Sequence, residues 1–469
     1  MKLSVATGLT LCICIGSCSA RVDDRPSEED GPTTDVSDSG STGAGDRTDA
    51  LAGSDHPGDG RRADGGARDG AVASQDSGEA RGSDGAQGGG GSQGNGGAAG
   101  SPSVSGVCRD ATVLTGADKV LPVSYWEQQM LTRTWDTDPN KCFAMSLAPD
   151  SGGGRGLNLY HLNGCIDGYT AMYEATGKTQ FIDRAIKLTE NVIGVAKLDG
   201  DGFFDWTFKI ALDETHGWRG TTRMLRVLHD TPALYGNAGY KAKHDTILRW
   251  TEKNIFQKWY QRAKDRNAWT SIFYRSRTHI VSHWAMITRV LSKQTADGVW
   301  RPIYEEMYKK MDGDMSPYIS SSLHEMMVTH PGHRDVIVFN DQWSMPYKVA
   351  SQCTESPCVS DTHHGMDTIG YIAFAREESN DWSTSDVRGL AALMRRLTWN
   401  GNATTPMFSF YLDGTGTWAE NECIEEGYAK LGKWDPALQR VLEKDDPRGC
   451  NHPQFFGHMA LSARCLNGE

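Results

Sequence analysis

Two adjacent histidines stand just before a predicted helix and are the clearest candidates for acid–base chemistry. His363 and His364 precede Gly365, and helical periodicity begins at Met366. The dipole of a helix disfavours the cationic form of a histidine at its N-terminus, which suits a neutral base or a hydrogen-bond donor. We therefore interpret the pair as a catalytic candidate. The alternative is a capping loop whose histidines are simply solvated.

A second group of candidates lies in one short stretch of the chain. His279 and His283 are four residues apart, so they share one face if the segment is helical. Arg277 could bind a carboxylate, with Tyr274 or His283 as acid or base. A zinc site is a competing hypothesis, but Ile280 stands where such a His-x-x-x-His motif usually carries glutamate. A second competing hypothesis is a structural role, in which the two histidines pack inside the fold.

A third group combines an aromatic side chain with a cation. Trp218 could stack on a sugar ring, and Arg219 could hold a carboxylate in a two-pronged hydrogen bond. His216 lies two residues before Trp218. Equally, Trp218 could belong to the core and Arg219 could pair with Glu214.

Three segments resemble α/α-toroid carbohydrate enzymes, and two of them narrow the resemblance to polysaccharide lyases of the alginate-lyase type. Residues 163–192 resemble a helical hairpin of those toroids, with a Gly-Lys-Thr turn. Residues 361–368 resemble the Asn-Asn-His-Gly segment that opens a helix in these lyases, although Thr362 and His363 stand where the family has asparagine. Residues 274–284 place Arg, His and Tyr together, as those sites do.

The resemblance implies cleavage of a uronic-acid polymer, alginate or glucuronan-like, by β-elimination. Once the carboxylate beside C5 is neutralised, a histidine or tyrosine removes the C5 proton, and another protonates the leaving oxygen. No metal, cofactor or covalent intermediate is required. An asparagine in an early loop assists the neutralisation in these lyases, and Asn158 or Asn163 could do so here. The expected catalytic residues are His364, His283, Tyr274 and His363, and the expected substrate-binding residues are Arg277, Arg219, Asn163, His279, His216 and Trp218.

Two other functions remain open at this point. A hydrolase of the α/α-toroid type would need two carboxylates about 5–10 Å apart. The candidates are Asp205, Asp213, Asp361, Asp367, Glu420 and Glu422. A non-catalytic glycan-binding lipoprotein would use tryptophans as stacking platforms, namely Trp206, Trp218 and Trp343, but it would not need clustered histidines.

The elements that must position these residues are helices. Apolar residues repeat at three- and four-residue steps on both sides of Gly177, which predicts a helical hairpin with a C-cap glycine. Similar patterns continue to the C-terminus, with long loops at residues 199–206 and 335–361. We predict an all-α fold, an incomplete or closed α/α toroid, with some short strands in the loops that build a cleft at one end. A bundle or a solenoid is also compatible, but no exact repeat supports a solenoid.

The N-terminal region predicts export. Residues 1–18 have a basic start and an apolar run too short to span a bilayer, and they end in Ile-Gly-Ser-Cys, which resembles a lipobox with Cys18 as the lipidated residue. An ordinary signal peptide that discards Cys18 is the alternative. Residues 19–106 are rich in Gly, Ser and Asp, and predict a disordered tether. Residues 107–469 form the predicted catalytic domain.

Charge and cysteine content limit the partners and the compartment. The tether holds most of the net charge of −12, so the domain is close to neutral and nothing indicates nucleic-acid binding. Eight cysteines follow the signal region, which suggests up to four disulfides in an oxidising compartment. Cys353 and Cys358 bracket a short loop and are expected to pair. We expect a monomer that meets the bacterial envelope only through its lipid anchor.

Overall fold

Helices occupy most of the chain that the structure describes. The structure is a computed structural model, and it describes residues 106–133, 141–151, 156–275, 277–319, 321–340, 359–402, 405, 407–419, 425–444 and 453–469. The predictions for Cys18, the tether, the Cys353–Cys358 pair, Trp343, Glu420 and Glu422 lie outside the described residues. Within these ranges the fold is all-α apart from short hairpins, as predicted.

The helices follow the predicted pattern closely. They are α1 (Val123–Thr132), α2 (Cys142–Leu147), α3 (Leu157–Thr176), α4 (Thr179–Val195), α5 (Ala211–Asp230), α6 (Pro232–Tyr235), α7 (Ala238–Trp250), α8 (Lys258–Arg266), α9 (Trp269–Ile272), α10 (Thr278–Gln294), α11 (Trp300–Gly313), α12 (Leu323–Met326), α13 (Thr362–Glu378), α14 (Thr384–Leu393), α15 (Glu425–Tyr428), α16 (Pro436–Lys444) and α17 (Pro453–Asn467). A π-helical stretch, Thr251–Gln257, joins α7 to α8, and a second, Met394–Thr398, extends α14. Two 3₁₀ segments are Gly116–Asp118 and Ala429–Trp434.

Three antiparallel hairpins interrupt the helices. They pair β1 (Lys197–Leu198) with β2 (Phe204–Asp205), β3 (Val328–His330) with β4 (His333–Val338), and β5 (Phe408–Ser409) with β6 (Trp418–Ala419). The first two lie in or beside the predicted loops, where short strands were expected. The predicted hairpin of α3 and α4 is confirmed, because Gly177 ends α3 with φ 71° and its N–H donates to the carbonyl of Tyr173. A positive φ of this kind is strained for residues with a Cβ, so glycine suits the position.

A central set of helices carries most of the buried polar side chains. In this set α17 packs on α3, α3 on α5, α5 on α10, α10 on α13, α13 on α15, and α15 on α17. Other helices cover the set from outside: α1 packs on α17, α4 on α3, α7 on α5, α11 on α10, and α14 on α13. The outer helices bury one apolar face each, as α4 does with Phe181, Ala185 and Leu188.

The long central helices run in the same direction. Contacts near the start of one helix reach the start of its neighbour, and contacts near its end reach the neighbour's end. The contacts that show this order are Tyr160–His216 and Glu174–Arg226 for α3 and α5, Arg219–Asp367 and Arg226–Glu377 for α5 and α13, His279–His364 and Arg289–Glu378 for α10 and α13, and His458–Asp167 and Arg464–Glu174 for α17 and α3. The amino ends of these helices therefore meet at one end of the fold, which we call the amino end.

A buried ion network runs between the central helices. Arg223 lies 2.6 Å from Glu174 and 3.2 Å from Glu377, and Arg226 lies 2.6 Å from Glu377. Lys433 also contacts Glu377. Charges removed from water are tolerated only when they are paired and hydrogen-bonded. Each pair joins residues from different elements, so the network fixes how the central helices face one another.

Two disulfides join separate parts of the described chain. Cys108 pairs with Cys465, which ties the start of the described chain to α17 across 357 residues. Cys142 pairs with Cys165 and ties α2 to α3. Losing a native disulfide typically costs about 2–5 kcal/mol of stability. Among the described residues, none of the helices is long and apolar enough to cross a membrane.

Candidate active site

Six histidines gather at the amino end of the central helices. We call them the histidine cluster: His161 of α3, His216 of α5, His279 and His283 of α10, and His363 and His364 of α13. Their ring centroids lie 5.1 Å apart for His216 and His283, and 4.4 Å apart for His279 and His364. The parallel course of the helices explains the meeting, because each histidine falls within the first two turns of its helix.

Asp361 holds His364 in one orientation. It is the N-cap of α13, and its Oδ1 accepts the backbone N–H of His364 at 2.8 Å. Its Oδ2 lies 2.7 Å from Nδ1 of the His364 ring. Because a carboxylate only accepts, Nδ1 carries the proton, and the lone pair of the neutral ring is on Nε2. The His364 side chain is 26% exposed, so the ring is open to solvent in part.

The carboxyl group of Asp361 stays ionised over the whole neutral range. Burial acts to raise its pKa, but the hydrogen bonds and charge of His364 outweigh burial and lower the pKa to about 2. An anion in contact with the imidazole stabilises the imidazolium that forms when His364 takes a proton. The pair therefore has the geometry of a base and the group that orients it.

His283, predicted as an acid or base, and Arg219, predicted to bind a carboxylate, are both buried. Nη1 of Arg219 lies 2.7 Å from Oδ1 of Asp367 and 3.0 Å from Nδ1 of His283. An arginine only donates, so Nδ1 of His283 accepts and its proton is on Nε2. Burial is the main cause that holds the pKa of His283 well below its ordinary value. Arg219, Asp367 and His283 thus join α5, α10 and α13 at the buried side of the cluster.

His216 is also buried, below Tyr160. The two rings stack with centroids 3.5 Å apart, and Nδ1 of His216 lies 3.1 Å from the carbonyl oxygen of Tyr160. Burial lowers the pKa of His216, and Asp367, 3.3 Å away, offsets this in part. The half-buried Tyr160 thus covers the ring of His216, for which a substrate contact was predicted.

Three more predicted contacts belong to the core. Trp218 is 1% exposed, and its Nε1 donates to Thr251, so no face of the indole is left for a sugar. Asn163 is buried where α3 meets α5. Tyr274 is buried against Tyr318, with stacked rings 4.4 Å apart, and burial raises its pKa, which disfavours a phenolate. All three side chains are thus enclosed by other parts of the chain rather than presented at a surface.

Four predicted or neighbouring side chains lie in or near the open part of the site. His363 and Arg277 are half-buried, and Arg277 is the N-cap residue of α10. His279 is buried against His364 and supports its ring rather than reaching solvent. His161 is exposed, and desolvation by the surrounding protein, together with His216 and His363, lowers its pKa. We call the open space beside His161, His363 and His364 the recess, and a substrate could meet the Nε2 side of His364 there.

The sequence reasoning missed the roles of Tyr160, His161 and Asp361 at this site. Asp361 was considered only as a hydrolase carboxylate, although its spacing of three residues before His364 is that of an N-cap. Tyr160 and His161 lie in the first two turns of α3. Nothing in their local sequence indicates a contact with residues more than 50 positions away.

The carboxylates proposed for hydrolysis have other partners. Asp361 binds His364 and Asp367 binds Arg219, as described above. Asp205 lies 2.9 Å from Lys258 and 2.8 Å from Arg262. Asp213 is buried. Within the described ranges, no group of three or more His, Cys, Asp and Glu side chains is arranged to hold a metal ion.

Comparison with known proteins adds no relative to this picture. No protein-family model matches the chain, and neither the curated proteins nor the solved structures contain a significant match.

Proposed function

We propose that the protein is a polysaccharide lyase that cleaves a uronic-acid-containing polymer, alginate or glucuronan-like, by β-elimination. The observation that carries the proposal is the Asp361–His364 pair, a partly solvent-accessible imidazole oriented by a half-buried carboxylate. It lies at the amino end beside His363 and close to the start of α10, where Arg277 is the N-cap. A base, a cation and further proton donors in one recess are the groups that elimination needs.

The proposed reaction assigns one role to each side chain. Arg277 and His363 neutralise the carboxylate beside C5, which makes the C5 proton acidic. Nε2 of His364 removes that proton, and Asp361 stabilises the resulting imidazolium. Tyr160 donates a proton to the oxygen that leaves C4. The C5–H and C4–O bonds break, a C4–C5 double bond forms, and no cofactor takes part.

We also propose that the central helices close into an α/α toroid. Their packing order returns to its start, since α17 packs both on α15 and on α3. Their common direction, with outer helices on the outside, supports this arrangement. Buried charges from α3, α5, α13 and the segment Ala429–Trp434 meet each other, as side chains on the inner face of a ring would. The recess would then be the mouth of the ring.

Export and lipid anchoring at Cys18 form part of the same proposal. The two disulfides are the supporting observation, because structural disulfides are typical of oxidising compartments. A monomer anchored to the bacterial envelope would meet an anionic polysaccharide outside the cytoplasm.

The test is absorbance of unsaturated uronates in the ultraviolet, recorded while the full-length protein acts on a panel of uronic-acid polymers. We expect absorbance to rise on at least one polymer, and His364→Ala to abolish the rise with an unchanged circular dichroism spectrum. His229→Ala is the matched control, because this half-exposed histidine lies at the opposite end of α5. If new reducing ends form without a rise in absorbance, the reaction is hydrolysis and not elimination. If neither absorbance nor reducing ends appear, both reactions are refuted for the polymers in the panel.

A further inference from the structure

Thr362 is enclosed at the start of α13, in the segment that resembles the lyase motif. It is 2% exposed, and its hydroxyl donates to the carbonyl oxygen of Ser409 at 3.0 Å and to that of Phe410 at 3.3 Å. The lyases that the segment resembles carry asparagine at this position. The hydroxyl of Thr362 is instead bonded within the fold, to β5 and the residue after it, so it is not available to a substrate.

Two backbone hydrogen bonds hold the chain on either side of Asp361. The N–H of Thr362 donates to the carbonyl of Phe410 at 2.8 Å, and the N–H of Leu412 donates to the carbonyl of Ser360 at 3.1 Å. Together they form an isolated antiparallel β-bridge at Asp361. The residue that caps α13 is therefore attached to a second segment of the chain, and the hydroxyl of Thr362 adds a third bond beside it.

The place of Asp361 decides the orientation of the His364 ring. The backbone of Asp361 is extended, with φ −68° and ψ 160°, and its carboxylate reaches both the backbone N–H and Nδ1 of His364. The bond to the N–H is a local helix cap. The contact with Nδ1 joins two side chains that can each rotate, and a hydrogen bond weakens steeply once its angle is lost. A small shift of Asp361 therefore weakens the ring contact before it breaks the cap.

β5 provides a firm support for these bonds. Phe408 forms a β-bridge with Trp399, and the N–H of Phe410 donates to the carbonyl of Thr417 at 2.8 Å. Phe408 and Leu412 are buried in the core. This segment is held from two sides, so the start of α13 takes its position from it.

We propose that Thr362 is a positioning residue for the Asp361–His364 pair, because its hydroxyl ties the start of α13 to β5 and so keeps the carboxylate against Nδ1 of His364. Thr362 acts through Asp361 and does not touch the substrate. The ring of His364 then keeps its proton on Nδ1 and leaves the lone pair of Nε2 open to the recess. The role of His364 as a base rests on the proposed function, whereas the orientation of its ring does not.

The experiment compares Thr362→Val, which removes the hydroxyl and keeps the shape, with Thr362→Ser, which keeps the hydroxyl, in the full-length protein. Thr288→Val is the matched control, because Thr288 is also buried and its hydroxyl also donates to two carbonyls, but in the second half of α10. Nitrogen NMR of ¹⁵N-labelled histidine, at a pH where the imidazole is neutral, shows which ring nitrogen carries the proton. The spectrum of His364→Ala assigns the His364 signals.

The ultraviolet signal gives kcat and KM for each variant, and circular dichroism confirms that it is folded. Loss of one hydrogen bond changes an equilibrium by about 2- to 10-fold. In Thr362→Val we therefore expect less of His364 to carry its proton on Nδ1, and kcat to fall about 2- to 10-fold with KM within twofold. Thr362→Ser and Thr288→Val should match the wild-type protein in the NMR spectrum and in kcat.

Gly416→Ala carries the test if Thr362→Val does not fold. Gly416 has φ 87°, and a Cβ there would lie 3.0 Å from Phe410 and from the Tyr411 ring, so the change displaces the segment bridged to Asp361. We expect the same loss of the Nδ1 proton in this variant.

The outcomes separate this inference from the lyase proposal. A changed proton position in Thr362→Val supports the positioning role even if the wild-type protein forms no double bond, in which case only the lyase proposal fails. An unchanged proton position in both Thr362→Val and Gly416→Ala overturns the positioning role, including when kcat falls. A loss of the Nδ1 proton in Thr362→Ser as large as in Thr362→Val overturns it as well, because that variant keeps the hydroxyl.

Discussion

Replacing Asp361 by asparagine should separate its effect on His364 from its effect on the helix. Asparagine caps a helix about as well as aspartate, so the hydrogen bond to the backbone N–H of His364 can remain. The imidazolium, however, loses the anion that lies 2.7 Å from its Nδ1. Losing such an orienting carboxylate costs on the order of 10²- to 10⁴-fold in kcat, which is about 3–5 kcal/mol of the barrier.

The assay records kcat/KM for elimination as a function of pH, together with urea unfolding. The acidic limb of the Asp361→Asn profile should move to lower pH, because a histidine without its carboxylate is protonated less readily. Stability should change by less than about 1 kcal/mol at neutral pH through the cap. Asp361→Ala is the matched variant, and it should lose activity to the same degree and about 1 kcal/mol of stability in addition.

Two outcomes would contradict this reasoning. If Asp361→Asn keeps wild-type kcat, the carboxylate does not support a base at His364. If Asp361→Asn loses activity only to the extent that it unfolds, Asp361 acts as a cap and nothing more.

Further predictions concern stability. Trp218→Ala should lower the free energy of unfolding, measured in urea, by about 3–5 kcal/mol because the indole is enclosed in the core. If the variant instead loses polymer affinity and keeps normal stability, Trp218 stacks on a sugar. Burial raises the pKa of Glu214 to about 8 despite the nearby Lys258, so the folded state keeps a proton that the unfolded chain releases above about pH 4.5. Stability should therefore fall as pH rises from about 4.5 to 8, and Glu214→Gln should flatten that dependence; an equal slope in both proteins would show that Glu214 is ionised when folded. Replacing Cys108 and Cys465 together by serine should cost about 4–5 kcal/mol in the same assay, and a loss below 1 kcal/mol would mean that the closed loop contributes little.

The sequence alone determined the helices and the most exposed part of the site. Helix signals are local, because periodicity, C-cap glycine and N-cap residues act within a few positions. Gly177 ended α3 where the pattern predicted, and His363 and His364 lie in the first turn of α13. The spacing of Asp361 and His364 is also local, so an N-cap search could have found that pair.

Only the tertiary structure decided which candidates reach solvent. Trp218, Tyr274, His283 and Arg219 have the residue types of a sugar site, but all four are buried. The partner of Arg219 lies 148 residues away, and no local pattern encodes that distance. Burial depends on which faces meet, and that choice is made by the sum of many contacts between segments distant in sequence. The sequence therefore determined the elements and their chemistry, and the packing of the parallel central helices decided which histidine has an oriented, accessible ring.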